Sequence, residues 1–306
     1  MDKSSKYLLE QIADMHEIPQ AGIFNVRENG KLVARSTEPG VDIISKKDKD
    51  GIDIVVKKGT VGKSLHIPVI VSMENVNDLV YNDFYIEDNS EIYIVAGCGI
   101  HNAGTKKSSH NGIHSFHIGK NCKVKYVEKH FAFGNKKAEK VLNPVTKIVL
   151  GEGSLLEMET LQLGGVSYSD RKTEAELLKN SKLLIKESIL TTGSEEALTY
   201  FDVKLTGQNS RVEVVSRAVA KDKSKQVFVS EIEGKKACFG HVECDGILSG
   251  KATISSTPKI IAQSPEAMLV HEAAIGKISE EQQNKLMSLG LTKEEAEKVI
   301  IEGFLK

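Results

Sequence analysis

The amino-acid sequence predicts a mainly β protein, built as a β-solenoid of parallel strands with short helical segments at its two ends. The first observation is a turn motif that recurs five times: an apolar or Thr residue, two spacers, Asn or Gly, a small residue, one spacer and an aliphatic residue. Its Asn or Gly positions lie 32, 32, 27 and 29 residues apart, at Asn89, Asn121, Gly153, Asn180 and Asn209. A period in this range is typical of stacked supersecondary units that share one hydrophobic core.

The second observation is that the segments after these turns have the pattern of strands. Residues 124–128 and 212–217 are rich in β-branched side chains and alternate with a period near two. Helical repeats would need amphipathic segments of about 12 residues, which are missing there. We therefore expect residues 51–275 to form the β-helix core.

The N-terminal segment, residues 1–50, is predicted to contain a short helix followed by an extended stretch. The helix is indicated by four apolar residues near the start of the chain, which are Tyr7, Leu8, Ile12 and Met15.

The C-terminal segment, residues 276–306, is predicted to form a helical hairpin that spans about residues 279–304. Two capping boxes mark the helix starts, Ser279 with Gln282 and Thr292 with Glu295, and Gly290 lies between them where a helix C-cap belongs. The hairpin carries more apolar residues than a free tail could leave in water, so we expect it to dock on the solenoid, on a partner, or on both.

The composition excludes several functional classes. With 41 basic and 42 acidic residues the net charge is −1, which gives no support to nucleic-acid or anionic-membrane binding. Trp is absent and aromatic residues make up 5%, which disfavours stacking platforms for sugars or single-stranded bases. No apolar run reaches 18 residues, so we expect a cytoplasmic protein, whose four cysteines would be thiols available for redox or metal chemistry.

Residues 59–64, Gly-Thr-Val-Gly-Lys-Ser, look like the end of a phosphate-binding P-loop. The first glycine of that motif would fall at Lys57, and the following sequence does not predict a βαβ unit. We interpret the segment as an ordinary turn and reject intrinsic ATPase activity.

A cluster of imidazoles beside one thiol follows in the sequence, at Cys98, His101, His110, His114 and His117. Both groups are ligands for borderline or soft metal ions. His114 and His117 have opposite parity, so a straight strand would direct them to opposite faces. A bent metal site and a polar strand edge with local hydrogen bonds both remain possible interpretations.

Residues 238–245, Cys-Phe-Gly-His-Val-Glu-Cys-Asp, form the densest group of reactive side chains. The His-x-Glu fragment is similar to zinc deaminases, but the Pro-Cys-x-x-Cys run that those enzymes need is missing. Cys238 and Cys244 lie six residues apart, roughly 20 Å along an extended strand, so both could bind one metal ion only if Gly240 breaks the strand.

His271 and Glu272 offer Cys244 other partners. His271 follows Cys244 by 27 residues, within the range of the repeat intervals, so a neighbouring strand about 4.8 Å away could bring it beside the thiol. Thiolate, imidazole and carboxylate would suit a shared metal site. The alternative is a half-buried Cys plus a charged surface pair.

Two segments closely resemble the SufB/SufD family of iron–sulfur cluster assembly scaffolds. They are residues 240–245, Gly-His-Val-Glu-Cys-Asp, and residues 264–278, Ser-Pro-Glu-Ala-Met-Leu-Val-His-Glu-Ala-Ala-Ile-Gly-Lys-Ile. The resemblance is strongest over about residues 237–304 and extends back to about residue 85. It implies a right-handed parallel β-helix, in agreement with the solenoid predicted from the repeats.

The resemblance also implies partners. Members of this family work with SufC, an ABC-type ATPase that docks on the C-terminal helical region, so ATP hydrolysis would be supplied by another subunit. The compact chain resembles minimal scaffolds that operate as a homodimer with two ATPase subunits. Sulfur donor and cluster acceptor proteins are expected as further partners.

The family's site residues match this sequence at three positions. The Cys that accepts sulfur and anchors the nascent cluster in SufB falls at Cys244, and the His-Glu pair that helps to hold the cluster falls at His271 and Glu272. SufD lacks that Cys, so the chain looks more like SufB. It departs from many SufB proteins at Val270, where they carry an additional Glu.

The leading hypothesis is therefore a scaffold, not an enzyme, that binds a transient iron–sulfur cluster of undetermined type through Cys244, His271 and Glu272. A non-cluster-binding structural subunit resembling SufD is the alternative. A polysaccharide-acting β-solenoid enzyme is disfavoured, because the chain has no signal peptide and no Trp.

Overall fold

The computed structural model describes residues 1–162 and 164–306, which form two ten-stranded sheets and three helices. The first sheet contains β1 (Ile23–Glu28), β2 (Lys31–Ser36), β5 (Lys63–Val71), β7 (Glu91–Asn102), β9 (Lys123–Gly134), β12 (Leu155–Gln162), β14 (Lys182–Thr191), β16 (Ser210–Ala220), β18 (Cys238–Leu248) and β20 (Ala267–Lys277). The second contains β3 (Val41–Ser45), β4 (Gly51–Val56), β6 (Asn77–Ile86), β8 (Ser108–Ile118), β10 (Lys140–Leu142), β11 (Val145–Leu150), β13 (Tyr168–Leu177), β15 (Glu196–Leu205), β17 (Lys225–Gly234) and β19 (Thr253–Ala262).

The order of the strands confirms the predicted solenoid. The first sheet runs β2-β1-β5-β7-β9-β12-β14-β16-β18-β20, and the second runs β19-β17-β15-β13-β10-β8-β6-β4-β3, with β11 also pairing β13 and β8. From β5 onward the chain alternates between the sheets and pairs in parallel, with β10 and β11 forming one pass through the second sheet, which gives about eight turns in all. Only the pairs β1–β2 and β3–β4, at the N-terminal end, are antiparallel among the described strands.

The five predicted turns are built as their sequence requires. Asn89, Asn121, Gly153, Asn180 and Asn209 all have positive φ, between 53° and 70°. Gly and Asn tolerate this left-handed conformation best. The small residue that follows is buried in every copy, and these residues are Ser90, Cys122, Ser154, Ser181 and Ser210. The repeat therefore marks the corners where the chain turns into a new strand of the first sheet.

The core lies between the two sheets and is filled by the alternate, inward-facing residues of each strand. Most of these are aliphatic, and aromatic rings stack between neighbouring turns, as where Phe84 and Phe116 have centroids 4.3 Å apart. The strands alternate between buried and more exposed residues, as expected for period-two segments. A group of polar inward-facing residues interrupts this aliphatic core.

The N-terminal helix is confirmed as α1 (Lys3–Ala13), which covers the outer face of the first sheet. Leu8, Leu9 and Ile12 are fully buried against that face. The backbones approach closely at Gly97, where an added Cβ would lie 2.3 Å from the carbonyl oxygen of Ile12. This contact requires glycine because a larger residue would displace the helix.

The C-terminal hairpin consists of α2 (Glu280–Ser288) and α3 (Lys293–Phe304). The capping box of Thr292 with Glu295 is confirmed, whereas the one predicted at Ser279 is wrong, since the structure describes no side-chain cap bond there. Ile301 is buried on the solenoid, and Arg217 donates a 3.0 Å hydrogen bond to the carbonyl oxygen of Phe304. The hairpin therefore docks on the solenoid through α3, while α2 has no buried residue among those described.

No helix in the described ranges is both long enough and apolar enough to cross a bilayer.

Candidate functional site

Cys244 lies on β18 with its side chain directed into the solenoid. Alternate residues of this strand face inward, and Cys244 is fully buried. Burial raises the pKa of its thiol to about 11, and the Glu187 carboxylate adds to that increase while the nearby Ser256 hydroxyl opposes it. At neutral pH the side chain is a thiol, and it needs a metal ion or a base to become a thiolate.

A small cavity with mixed polar and apolar lining adjoins this thiol. Its volume is about 10 Å³, enough for about one water molecule. Its polar lining comes from five strands, β14 to β18, and consists of Glu187, Thr199, Ser216, Gln226 and Cys244. The thiol is therefore buried beside hydrogen-bonding groups and not only among aliphatic side chains.

Cys244 is the last member of a row of polar residues along the inner face of the first sheet. Glu128, Thr160, Glu187, Ser216 and Cys244 are successive register partners on β9, β12, β14, β16 and β18. Ser216 donates a 2.8 Å hydrogen bond to Glu187, so neighbouring members of this row interact directly. We call these five residues the polar row.

Arg171, on β13 of the opposite sheet, lies between the two carboxylates of the polar row and interacts with both. Its Nη1 lies 2.6 Å from Glu128 and its Nε 3.6 Å from Glu187, and all three side chains are almost completely buried. Burial opposes ionisation of Glu128, but His130 and Arg171 outweigh it and hold the pKa of Glu128 well below its usual range. Burial raises the pKa of Glu187, and Arg171 opposes that increase only in part.

Sequence reasoning missed the polar row, although a signal for it exists. Glu128, Thr160, Glu187 and Ser216 each follow the Asn or Gly of a turn motif by seven residues. Cys244 has the same position relative to Ala237, where the motif lacks its Asn or Gly. Alignment of the turns would have identified these residues as one column.

His271 lies on β20, the edge strand next to β18, and also belongs to an inward-facing row. Its register partner is Val242, and the residue opposite Cys244 is Ala273. The predicted sideways placement beside Cys244 is therefore off by two residues, because the register interval at this turn is 29 residues, not 27. Among the described residues, neither ring nitrogen of His271 has a hydrogen-bond partner, although both are buried.

Glu272 has the opposite parity and points to the outer face of β20. Its side chain is 66% exposed, and its Oε2 lies 3.8 Å from Nε2 of His241. Cys244 and His271 thus share the inside of the solenoid, whereas Glu272 lies outside it. The three predicted site residues do not converge within one chain in this conformation.

Cys238 and Cys244 cannot share one ion in this fold. β18 is continuous through Gly240, so the two thiols are separated by six residues of extended strand, roughly 20 Å. All four cysteines, Cys98, Cys122, Cys238 and Cys244, are buried free thiols.

The predicted histidine cluster divides between the two sides of the solenoid wall. His101 stacks on Phe133 and His117 stacks on Tyr85, both with outward-facing rings. His110 and His114 are buried inside and line a second cavity. Across residues 1–162 and 164–306, no three His, Cys, Asp or Glu side chains are already arranged as a metal site.

Comparison with known protein families finds a match that covers most of this chain. Residues 75–304 match the family described as SUF system FeS cluster assembly, SufBD core domain. The match includes the polar row, β20 and the C-terminal hairpin, but not the N-terminal helix.

Three archaeal proteins named as iron–sulfur cluster assembly SufBD family proteins are similar to this chain. The protein of Methanocaldococcus jannaschii is 30% identical over 79% of this chain and 76% of its own length. A Methanothermobacter thermautotrophicus protein is 32% identical over 78% of this chain and 57% of its own length. The Archaeoglobus fulgidus protein is 31% identical over 74% of this chain and 60% of its own length.

Proposed function

Because this chain belongs to the SufBD family of iron–sulfur cluster assembly proteins, we propose that it is a scaffold subunit on which a nascent cluster is assembled. Cys244 anchors the cluster, and His271 and Glu272 complete the ligand set. The chain itself is not an enzyme, and a SufC-like ABC ATPase supplies ATP hydrolysis. A sulfur donor delivers to the scaffold, and an acceptor protein receives the finished cluster.

The observation that carries this proposal is the presence of a buried thiol and an unpartnered imidazole on neighbouring strands at the open end of the solenoid. Cys244 and His271 lie on inward-facing rows of the last two strands of the first sheet. Buried ring nitrogens without a hydrogen-bond partner, such as those of the partly buried His271, are costly to the fold, so a ligand for them is expected. Thiolate and imidazole are both ligands that iron–sulfur clusters use.

Assembly requires the last turn to open. The cavity beside Cys244 holds about one water molecule, which is too small for a cluster. We propose that ATP binding by the partner subunit moves the terminal strands and uncovers the thiol. Iron bound there would then stabilise the thiolate against the raised pKa of the free side chain.

The same end of the solenoid supports a homodimer. β19 and β20 are edge strands, and they expose Ile260, Met268 and Ile275. A second copy placed against these edges would cover the apolar side chains and the unpaired backbone groups. In such a dimer Cys244 of one chain would face His271 of the other, and Glu272 would contribute its exposed carboxylate.

The ATPase docks, we propose, on the exposed side of the C-terminal hairpin. Met287, Leu289 and Val299 are exposed there, and Leu289 is 75% exposed. Leu289→Asp should abolish pull-down of the ATPase and leave the fold intact, because the side chain makes little contact with the solenoid. The matched control is Val149→Asp, at another exposed apolar residue, on β11. Retained binding by Leu289→Asp would overturn this docking site.

The test of the scaffold is anaerobic reconstitution with iron and sulfide in the presence of the candidate ATPase. We expect the visible absorption of a cluster in the wild type, and its loss in Cys244→Ser and in His271→Ala. Cys122→Ser is the control, because Cys122 is a buried thiol in a turn far along the solenoid from β18. A cluster that survives both site variants would contradict the assignment of Cys244 and His271.

The alternative function is a structural subunit resembling SufD, which holds the ATPase without binding a cluster. The complete burial of Cys244 favours it. In that case the wild type would form no cluster under the same conditions, and Cys244→Ser would leave the assembly activity of the complex unchanged. For either role we propose a cytoplasmic, reducing setting, in keeping with four free thiols.

A further inference from the structure

A second cavity lies inside the solenoid, far from Cys244, between β7 and β8. Its volume is about 20 Å³, room for an ion together with about one water molecule. Its chemically reactive lining consists of Cys98, His110, His114, Glu128 and His130. No role in the proposed scaffold function uses this chamber.

Two imidazoles present lone pairs to the chamber. The Nδ1 of His110 lies 2.8 Å from Asp78 Oδ2 and donates to that carboxylate, so its Nε2 carries the lone pair. The Nδ1 of His114 lies 2.8 Å from the Tyr126 hydroxyl, which in turn donates to Glu128. Nε2 of His114 accepts only a long, 3.3 Å hydrogen bond from Asn82. A carboxylate behind each imidazole is the support that metal-binding histidines typically have.

Gly112 keeps the space between the two rings open. It lies between His110 and His114 on the inner face of β8. A Cβ at this position would lie 3.0 Å from Nε2 of His114 and 3.4 Å from Nε2 of His110. Both nitrogens therefore approach the same point, and even a methyl group there would fill it.

A thiol faces these imidazoles from the other sheet. Cys98 lies on the inner face of β7, the strand that precedes β8 in the same turn, and it is buried. Burial raises the pKa of this thiol well above its usual range, and Asp78 and Glu128 raise it further. The thiol lines the same chamber as the two imidazoles.

We propose that His110, His114 and Cys98 bind one divalent first-row transition metal ion inside the solenoid. Imidazole and thiolate together suit ions of this class, such as Zn²⁺ or Fe²⁺. The three groups are not in ligand positions beforehand, so binding requires rotation of their side chains and replaces the long bond from Asn82. A water molecule from the chamber completes the coordination.

The Cys98 thiolate supplies the negative charge that offsets part of the charge of the ion. Asp78 is paired with Arg27, and Glu128 with Arg171, so these two carboxylates are already balanced by arginines. The ion bonds to the Cys98 sulfur and the thiol proton leaves to solvent, so binding adds one net positive charge and releases one proton. Affinity should therefore decrease as the pH falls.

The experiment is a titration of the purified, metal-free protein with Co²⁺, followed by competition with Zn²⁺. We expect one Co²⁺ per chain, with visible d–d absorption and a near-ultraviolet thiolate charge-transfer band. His110→Ala and His114→Ala should each weaken binding at least about tenfold, and Asp78→Asn about 10–100-fold as for other groups that support metal ligands. Cys98→Ser should remove the charge-transfer band.

Gly112→Ala is the variant that tests the chamber without removing a ligand. Its added methyl should block Co²⁺ while circular dichroism remains that of the wild type, so the test does not depend on whether the histidine variants fold. His101→Ala and His117→Ala are matched controls, because these outward-facing histidines belong to the same sequence cluster. Both should bind Co²⁺ like the wild type.

The result for the metal site in the chamber can be distinguished from the result for the proposed cluster site at Cys244. Cys244→Ser should retain Co²⁺ binding in the chamber whether or not the scaffold proposal holds. Unchanged binding in Gly112→Ala and His110→Ala, or a charge-transfer band that persists in Cys98→Ser, would overturn the proposed site. Loss of binding in Cys244→Ser alone would also overturn it, since the ion would then lie at the end of the solenoid.

Discussion

The middle turns and the C-terminal end of the solenoid differ in how the ring nitrogens of their inward-facing histidines are hydrogen-bonded. In the middle turns, the Nδ1 of His114 contacts Tyr126 and its Nε2 contacts Asn82. At the end, His271 has two buried ring nitrogens that lack partners within the described chain. The first arrangement holds an imidazole by hydrogen bonds at both ring nitrogens, of which the long one from Asn82 is the bond that metal binding would replace, whereas the second leaves both ring nitrogens without a protein partner.

The difference arises from position along the stack. Middle strands have a neighbour on each side, so polar side chains meet partners from the turns before and after. The row of His271 ends with β20, the edge of the first sheet, and beyond it the row has no further strand. The comparison predicts that the interior charges of the middle turns contribute to stability, and that the imidazole at the open end contributes little.

The largest expected effect is that of Arg171→Met. Loss of the guanidinium would leave Glu128 and Glu187 buried without their shared cation, and we expect the free energy of unfolding to fall by about 3–5 kcal/mol. Urea denaturation measures this change. The control is Lys172→Met on the outer face of β13, whose half-exposed ion pair with Asp170 is worth less than about 1 kcal/mol. Equal midpoints for the two variants would show that the interior charges do not stabilise the middle turns.

A second prediction concerns pH. Burial lowers the pKa of His114 to about 4, whereas in the unfolded chain it would be near 6.5. Between these values the unfolded state binds the proton and the folded state does not, so stability should fall as the pH falls from about 6.5 to about 4. The loss would reach about 3 kcal/mol for this one group. His130, whose pKa burial also lowers, acts in the same direction.

Glu187 has the opposite effect and makes the dependence of stability on pH less steep. Burial raises its pKa, so its contribution to stability is present at low pH and is lost as the pH rises through the raised pKa. Urea midpoints measured from pH 4 to 7.5 test the balance. His114→Gln should flatten the dependence of the urea midpoint on pH. If the urea midpoint of His114→Gln depends on pH as steeply as that of the wild type, other groups cause the pH dependence.

The smallest expected effect comes from comparing the two histidines directly. His114→Ala removes a side chain packed between Phe84 and Tyr126 and leaves the Tyr126 hydroxyl without that partner, so it should cost about 2–3 kcal/mol. His271→Ala should change stability by less than about 1 kcal/mol, because no hydrogen bond of the described residues is lost. Thermal unfolding of the two variants measures the difference, and a large loss for His271→Ala would show that its imidazole is structural.

Much of the fold and part of the candidate site could be predicted from the sequence. The turn motif predicted five corners of the solenoid, and the capping box at Thr292 predicted the start of α3. Both depend on local interactions within a few residues. At Ser279 the same type of pattern failed, since a hydroxyl beside a helix start need not turn toward the free N–H groups.

The histidine cluster shows which contacts could not be predicted from the sequence. Parity correctly separated His114 from His117, but it could not show that His110 and His114 line one cavity with Cys98, which lies on the other sheet. The salt bridge between Arg171 and Glu128 likewise joins residues 43 positions apart. Such contacts depend on how two sheets face each other, and no local pattern contains that information.

The sequence by itself determined where the chain turns, because a left-handed Asn or Gly followed by a buried small residue is a local requirement. Only the tertiary structure decided which side chains meet across the strands. Repeat lengths vary, and a shift of one residue moves a side chain to the opposite face. For that reason His271 lies inside with Cys244 but two residues out of line, while Glu272, its neighbour in sequence, lies outside.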